Sequence, residues 1–316
     1  MKSNSSKLDI KFSELLNGAE IYTLILLAVY SILIFIFPSS FNNSLALLNI
    51  NFGIAAIVFT IAFIGNIFKN NHYARLLRII GLAPIVFLMY ENTQNYVRAF
   101  NPFDYDHVLI AWDKMIFGGD PSQLISFLRT PVLTEILQFC YFSFFFLPVI
   151  HGIELYRRNK HTELSILTNQ IVFGFLFSYF LYLFMPAIGP RFTLYNIHTI
   201  NQDIPGLYFT NFFREIVNSG GGAPNGIPHP ELHVNRDCMP SGHTWLTLMN
   251  IIIAFKFRSK LRWVFLVIGG GLIFSTIYMR YHYGVDVLAG VFFALLSIYI
   301  EPKIRLLLNK IGFKKA

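Results

Sequence analysis

Charge is scarce in this 316-residue chain. Asp, Glu, Lys and Arg together make up 13% of it, where a soluble globular domain carries about 25%. The polar residues that are present lie mostly between long apolar runs. No fixed-period repeat and no low-complexity tract appears, and the composition places the chain in the membrane class. Cysteine is equally sparse. Cys140 falls in an apolar run and Cys238 in a polar loop, so no disulfide framework is expected. No cleavable leader is expected either, because the first apolar run is long and is not followed by a small-residue cleavage site.

What is abundant is apolar surface: 54% hydrophobic residues, 34 of them Phe, and a mean hydropathy of +0.53. The net charge of +8 could suit a nucleic-acid binder. The basic residues, however, sit in short clusters between apolar segments, where they act as topology determinants, so no nucleic-acid partner is expected. A bilayer crossing takes roughly 17–25 apolar residues. About eight segments come close: Ile21–Phe37, Leu45–Phe68, Ile79–Tyr96, Val132–Ile153, Ile166–Ala187, Thr244–Phe257, Trp263–Met279 and Val285–Ile300. The expected fold is therefore an all-α polytopic membrane protein, read as a single domain. Residues 1–75 carry two N-terminal helices, 76–306 a core and 307–316 a basic tail.

With an even number of spans, most basic residues fall on one side. They are Lys2, Lys7 and Lys11, then Lys69, Arg75 and Arg78, Arg157, Arg158 and Lys160, Lys256, Arg258, Lys260 and Arg262, and the tail from Lys303 to Lys315. The positive-inside rule then predicts both termini in the cytoplasm. Two long loops, around 97–131 and 188–242, lie on the periplasmic or lumenal side. The second carries Gly220, Gly221 and Gly222 and several prolines, and reads as irregular chain rather than another helix.

Three short stretches put ionisable residues at membrane boundaries on that side. They are Gly189-Pro190-Arg191; Cys238-Met239-Pro240-Ser241-Gly242-His243; and Arg280-Tyr281-His282-Tyr283-Gly284-Val285-Asp286. His282 and Asp286 are four apart, so a helix starting near His282 would place both on one face. A carboxylate on one ring nitrogen fixes the tautomer and frees the other to attack. His243 suits a general acid. Ser241 and Gly242 mark a helix N-terminus able to bind an anion, and Arg191 and Arg280 match phosphate oxygens bidentately. Together they describe a phosphoryl-transfer site without metal or cofactor.

Pro240-Ser241-Gly242-His243, followed some forty residues on by His282-x-x-x-Asp286, resembles the type 2 phosphatidic acid phosphatase superfamily. The resemblance implies a six-helix core, here the third to eighth spans, with two extra helices in front, a phosphohistidine at His282 and acid catalysis by His243. Two positions depart from the pattern: Phe184 stands where a lysine is usual, and Thr276 where an arginine is. Gly189-Pro190-Arg191, Arg280-Tyr281-His282-Tyr283 and, less specifically, the stretch from Asp113 to Pro121 are instead similar to the inositol phosphorylceramide synthase branch. That branch passes a phosphoalcohol head group between lipids, which implies a lipid substrate and a polyol or lipid acceptor. Hydrolysis of a lipid phosphate is the alternative, and a lipid transporter a third reading, disfavoured because no ionisable residue lies mid-span.

Other polar residues read as structural. His229 and His233 are four apart, but Pro230 argues against the helix that zinc chelation would need. Asp104, Asp106 and Asp113 show no cation-cage spacing and read as loop residues touching substrate hydroxyls. Cys238 reads as a packing residue beside the site.

Overall fold

In a computed structural model the protein is described over residues 15–68, 71–224 and 226–313. Lys2, Lys7, Lys11, Lys69, Lys314 and Lys315, used above as topology determinants, lie outside them. The described residues contain helices and no strand. Five stretches are long and apolar enough to cross a membrane: Gly18–Ile36 (α1), Ser44–Ile67 (α2), Pro131–Arg157, His161–Tyr182 (α9) and Gly284–Lys310 (α15). The Pro131–Arg157 stretch is two helices, Pro131–Phe142 (α7) and Phe146–Arg157 (α8), joined by a tighter turn over Ser143–Phe145.

The other three apolar segments are shorter or broken. The third divides at Gly81 into His72–Ile80 (α3) and Leu82–Phe100 (α4); the sixth is Gly242–Lys256 (α13) and the seventh Arg262–Tyr278 (α14). The fifth stops at Tyr182 rather than running on to Ala187, because the chain turns through Leu183–Phe184 ahead of Pro186.

The connections at one end of the bundle, called here the site end, are richer in structure than the sequence suggested. The first holds Asp106–Phe117 (α5) and Pro121–Leu124 (α6). The second, read as irregular, holds Pro190–Thr193 (α10), Ile200–Asp203 (α11) and an eleven-residue helix, Thr210–Gly220 (α12). Its glycine run terminates α12 instead of dissolving the segment, with Gly221 N–H returning to Val217 O at 3.0 Å.

Helix α13 is the axis of the bundle. Trp245, Met249 and Ile253 are fully buried among α8, α9, α14 and α15, and Trp245 Nε1 donates to Ser297 Oγ at 3.1 Å. Near the site end α13 and α15 come close because Gly290 has no side chain; a Cβ there would stand 2.7 Å from Ser241 O. Helices α1, α2, α4 and α9 share a second apolar cluster in which Tyr30 stacks on Tyr96, ring centroids 4.0 Å apart. The outward surfaces remain apolar, with Phe35, Phe52, Phe63, Val149, Val267, Phe292 and Leu306 exposed. Such a surface is stable against acyl chains and not against water.

At the opposite end a buried ion pair fastens α1 to α3. Arg78 grips Glu20 with two bonds of 2.7 and 2.6 Å and donates to Leu15 O, while Glu20 also accepts the Asn17 N–H of its own capping box. Removing one partner of a buried pair leaves an uncompensated charge and costs about 3–5 kcal/mol. Arg78→Met is therefore expected to lower the aggregation temperature of the detergent-solubilised protein clearly, and Arg78→Met with Glu20→Gln to recover much of it. Equal midpoints for the single variant and the parent would show the pair contributes nothing.

Candidate active site

Three helix ends deliver the predicted residues to one place, each fixed by its own backbone chemistry. Helix α14 ends in a Schellman motif: Tyr281 N–H bonds Thr276 O at 2.9 Å and Arg280 N–H bonds Ile277 O at 3.0 Å. Arg280 takes the left-handed position usually left to glycine, with φ of 64°. His282 follows directly, its N–H also on Thr276 O at 3.0 Å. It stands just ahead of α15, not on it as the four-residue spacing implied, because α15 begins only at Gly284.

The pair forms all the same. His282 Nδ1 lies 3.2 Å from Asp286 Oδ1, and Asp286 Oδ2 accepts the Tyr283 N–H at 2.9 Å. Asp286 is fully buried and His282 nearly so. The other ring nitrogen, Nε2, faces His243 Nδ1 at 3.3 Å. The His243 ring is held between Tyr141 and Phe144, centroids 4.5 and 4.3 Å away.

Ser241 is the N-cap of α13. Its Oγ accepts Thr244 N–H and its own N–H goes to Asp286 O at 3.1 Å. The serine therefore works as a clamp between α13 and α15, and its polar atoms are taken up there. The helix amides facing outward are those of Gly242 and His243, which have no carbonyl a turn earlier to accept them.

Arg191 opens α10 and is buried. It donates to Asn218 of α12 at 2.6 Å and lies over the Tyr281 ring at 4.7 Å. Its own N–H bonds Arg280 O at 3.0 Å. Gly189 allows this contact: its φ is 93°, and a Cβ would meet Tyr281 O at 2.7 Å. Arg280 is engaged differently from the expectation of a free phosphate ligand. Its guanidinium pairs with Asp203 at 2.7 Å and sits 3.5 Å over the Tyr195 ring, so it is a buried ion-pair residue. Arg129 and Arg214 stand close enough for Arg280 to push both down, after the larger effect of burial. Four guanidiniums thus converge on this end. Phe184, at the position where the pattern usually has lysine, is half-exposed against Phe100 and Phe180.

Two residues at the heart of the arrangement were misread from the sequence. Asp106 and Asp113 project from one side of α5, two turns apart, and are buried. Asp106 accepts the Ile188 and Gly189 N–H groups at 3.0 and 2.9 Å and the Tyr283 hydroxyl at 2.8 Å. Asp113 accepts the Gly284 and Val285 N–H groups at 2.9 and 2.7 Å, capping α15 from another helix. They hold loop backbone, not substrate hydroxyls. Their seven-residue spacing across Val108, Leu109 and Ile110 was the available signal.

Cys238 does more than pack. Burial, then the Asp286 and Asp106 charges, push its thiol well up, so it stays protonated and donates to Asp286 Oδ2 at 2.8 Å. Cys238, His282 and Asp286 are also the grouping among the described residues compact enough to suggest a metal. A sulfur and an oxygen on one tetrahedral zinc would stand about 3.5 Å apart. The observed 2.8 Å is a hydrogen-bond distance, so the trio fits a bonded set better than a cage. His229 is exposed and pairs with Glu231 at 3.1 Å.

A helical, apolar-surfaced membrane protein with two facing histidines, a buried aspartate, a helix N-terminus and converging arginines has the parts of a phosphoryl-transfer centre. Residues 107–300 match the family model described as the PAP2 superfamily. The match covers more than half of the chain and includes all three site stretches; the chain belongs to this superfamily. No curated protein and no solved structure matches it.

Two outcomes follow. Burial, then the Asp286 and Asp120 charges, push Asp113 from an ordinary 3.8 up to about 6 against the pull of its two amide donors. Over that window the folded protein holds a proton that the unfolded chain has lost, so this residue's contribution to stability falls as pH rises from about 4 to about 6. The thermal midpoint of the parent relative to Asp113→Asn should decline across it; a rise would mean that the amide bonds outweigh burial. Gly189→Ala should lower turnover at least about tenfold, since the new methyl forces the Arg191 loop off Tyr281; unaltered turnover would show that this close approach is not needed.

Proposed function

We propose that the protein is a lipid phosphotransferase that passes a phosphoryl or phosphoalcohol group from a lipid donor to a hydroxyl acceptor through His282, as in the inositol phosphorylceramide synthase branch that its motifs resemble. One observation carries the reading. His282 has its Nδ1 side toward a buried carboxylate and its Nε2 toward His243, the polarity a nucleophile and its acid–base partner need.

In the first step the Nε2 lone pair attacks phosphorus, an N–P bond forms and the P–O bond to the leaving alcohol breaks. His243, its charged form supported by the bound phosphate anion, gives that oxygen its proton. Asp286 stabilises the positive charge left on the ring, with the Nδ1 proton held between them. In the second step the acceptor hydroxyl loses its proton to His243, its oxygen attacks phosphorus and the N–P bond breaks, restoring both histidines. Arg191 and the Gly242 and His243 amides stabilise the phosphoryl oxygens through both steps. Arg280 serves through the loop it shares with Arg191, and Ser241 by fixing the start of α13. No residue group in this scheme calls for a metal or cofactor.

The acceptor is assigned to an open recess of about 230 Å³ lined in part by Asn201, Asn211, Arg214 and Asn218. It adjoins Arg191 through the Asn218 bond, and suits an acceptor rich in hydroxyls. Eight crossings, with residues 76–306 as the catalytic core, both termini cytoplasmic and the site near the periplasmic or lumenal face, complete the proposal; the basic clusters support that orientation.

The test is to incubate purified protein and a phosphorus-labelled lipid panel with a chelator, with and without candidate alcohols. Label should move to an added alcohol, and His282→Ala should abolish it while removing an acid-labile labelled protein species. Release of phosphate or phosphoalcohol alone, unaffected by any alcohol, would make the enzyme a lipid phosphatase. Full activity in His282→Ala would sink the histidine mechanism altogether.

A further inference from the structure

Helix α12 has two unlike faces. On one, Thr210, Arg214 and Asn218 follow at four-residue intervals and are buried. Asn218 holds Arg191, and Arg214 donates to Asn201 and to Ile204 O. On the other, Phe209, Phe212 and Ile216 are exposed, and Leu207 and Tyr208 extend the row at its start; Tyr208 is 84% exposed. Five large apolar or aromatic side chains in a contiguous row are a poor surface to leave in water.

The row continues a surface that is already apolar. Helix α12 packs along α7, where Phe213 meets Phe142 at 4.4 Å and Phe139 at 6.4 Å between ring centroids. The outward residues of α7 are Val132, Ile136 and Phe139, all half-exposed, on a stretch long and apolar enough to cross a membrane. The docking is specific. Glu135 of α7 accepts the N–H groups of Leu207, Tyr208, Phe209 and Thr210, at 2.9, 3.3, 2.6 and 3.2 Å, and the Thr210 hydroxyl at 2.6 Å. One carboxylate thereby pins the turn that leads into α12 and the first amide of the helix to α7.

We propose that α12 is an interfacial helix. Its Leu207, Tyr208, Phe209, Phe212 and Ile216 face is immersed in the lipid leaflet at the site end, and its Arg214 and Asn218 face forms the wall past which a lipid head group reaches Arg191. An amphipathic helix of this kind buries its apolar face at the boundary of head groups and acyl chains, and Tyr208 suits that layer. The wall half of the inference rests on the lipid-phosphotransferase reading; the immersion half does not.

The two native cysteines are buried, so an introduced surface cysteine can be labelled selectively. Phe212→Cys and, as a control, His229→Cys on an exposed loop are each labelled with a polarity-sensitive fluorophore and reconstituted in phosphatidylcholine vesicles. Doxyl-labelled lipid should quench the label at 212 strongly and aqueous iodide weakly, with the reverse at 229. Equal responses at the two positions, or a 212 label shielded only by cross-linkable contact with a second copy, would overturn immersion. For the wall, Phe212→Ser with Ile216→Ser, which loosens the lipid-side anchor that holds the wall in place, should raise KM for vesicle-borne lipid at least about tenfold, a lower bound for losing two lipid-buried apolar side chains, and leave turnover of a short-chain soluble analogue unchanged. An unchanged KM would overturn the wall while the site reading stood. Full turnover in His282→Ala would remove the site reading and the wall together, whatever the fluorescence shows.

Discussion

The geometry of the site depends on buried carboxylates that accept backbone N–H groups. Asp106 and Asp113, on one short helix that itself crosses nothing, take four amides and a tyrosine hydroxyl from the two loops that carry Arg191 and His282. Each amide would otherwise be an unsatisfied donor in a poorly hydrated place, at about 1–3 kcal/mol apiece. Satisfying them fixes the Gly189–Arg191 turn and the start of α15 relative to each other. The direct link of Arg191 N–H to Arg280 O and the clamp from Ser241 N–H to Asp286 O finish the frame. The side chains of the site are then the ends of stiff levers.

This arrangement explains why so many charged groups coexist in a small volume. Four arginines converge, and each that is buried is matched to a specific oxygen: Arg191 to Asn218, Arg214 to Ile204, Arg280 to Asp203. Repulsion among them is held in check by these bonds. Local preorganisation of that kind, in a water-poor site, is the main lever by which phosphoryl transfer is accelerated.

Much of this was legible in the sequence, and the pattern of what was not is instructive. The apolar runs gave the long helices, because hydropathy reports a bilayer-scale length directly. His243, His282, Asp286 and Arg191 were legible because chemistry-bearing residues are rare in such a chain. Helices α5 and α12 were missed because each is short, lies between glycines or prolines, and is stabilised by contacts distant in sequence, Glu135 with Leu207 to Thr210 being the plainest case. Asp106 and Asp113 were misread for the same reason: their partners are backbone groups, which no side-chain motif advertises. Arg280 was placed correctly in space but assigned a free role, since nothing near it in sequence points to Asp203.

The position of His282 ahead of α15 has a consequence for portability. A helix carrying His-x-x-x-Asp holds both side chains on its own ladder, and could be transplanted as a cassette. Here the imidazole hangs from the left-handed turn at Arg280 that closes α14, while Asp286 belongs to α15, so the pair spans a joint between two rods. Copying the spacing alone into another scaffold would reproduce the letters and lose the alignment. The transferable unit is the joint together with the acidic bracket from α5 that holds it, and homologous proteins would be expected to exchange those parts as a set.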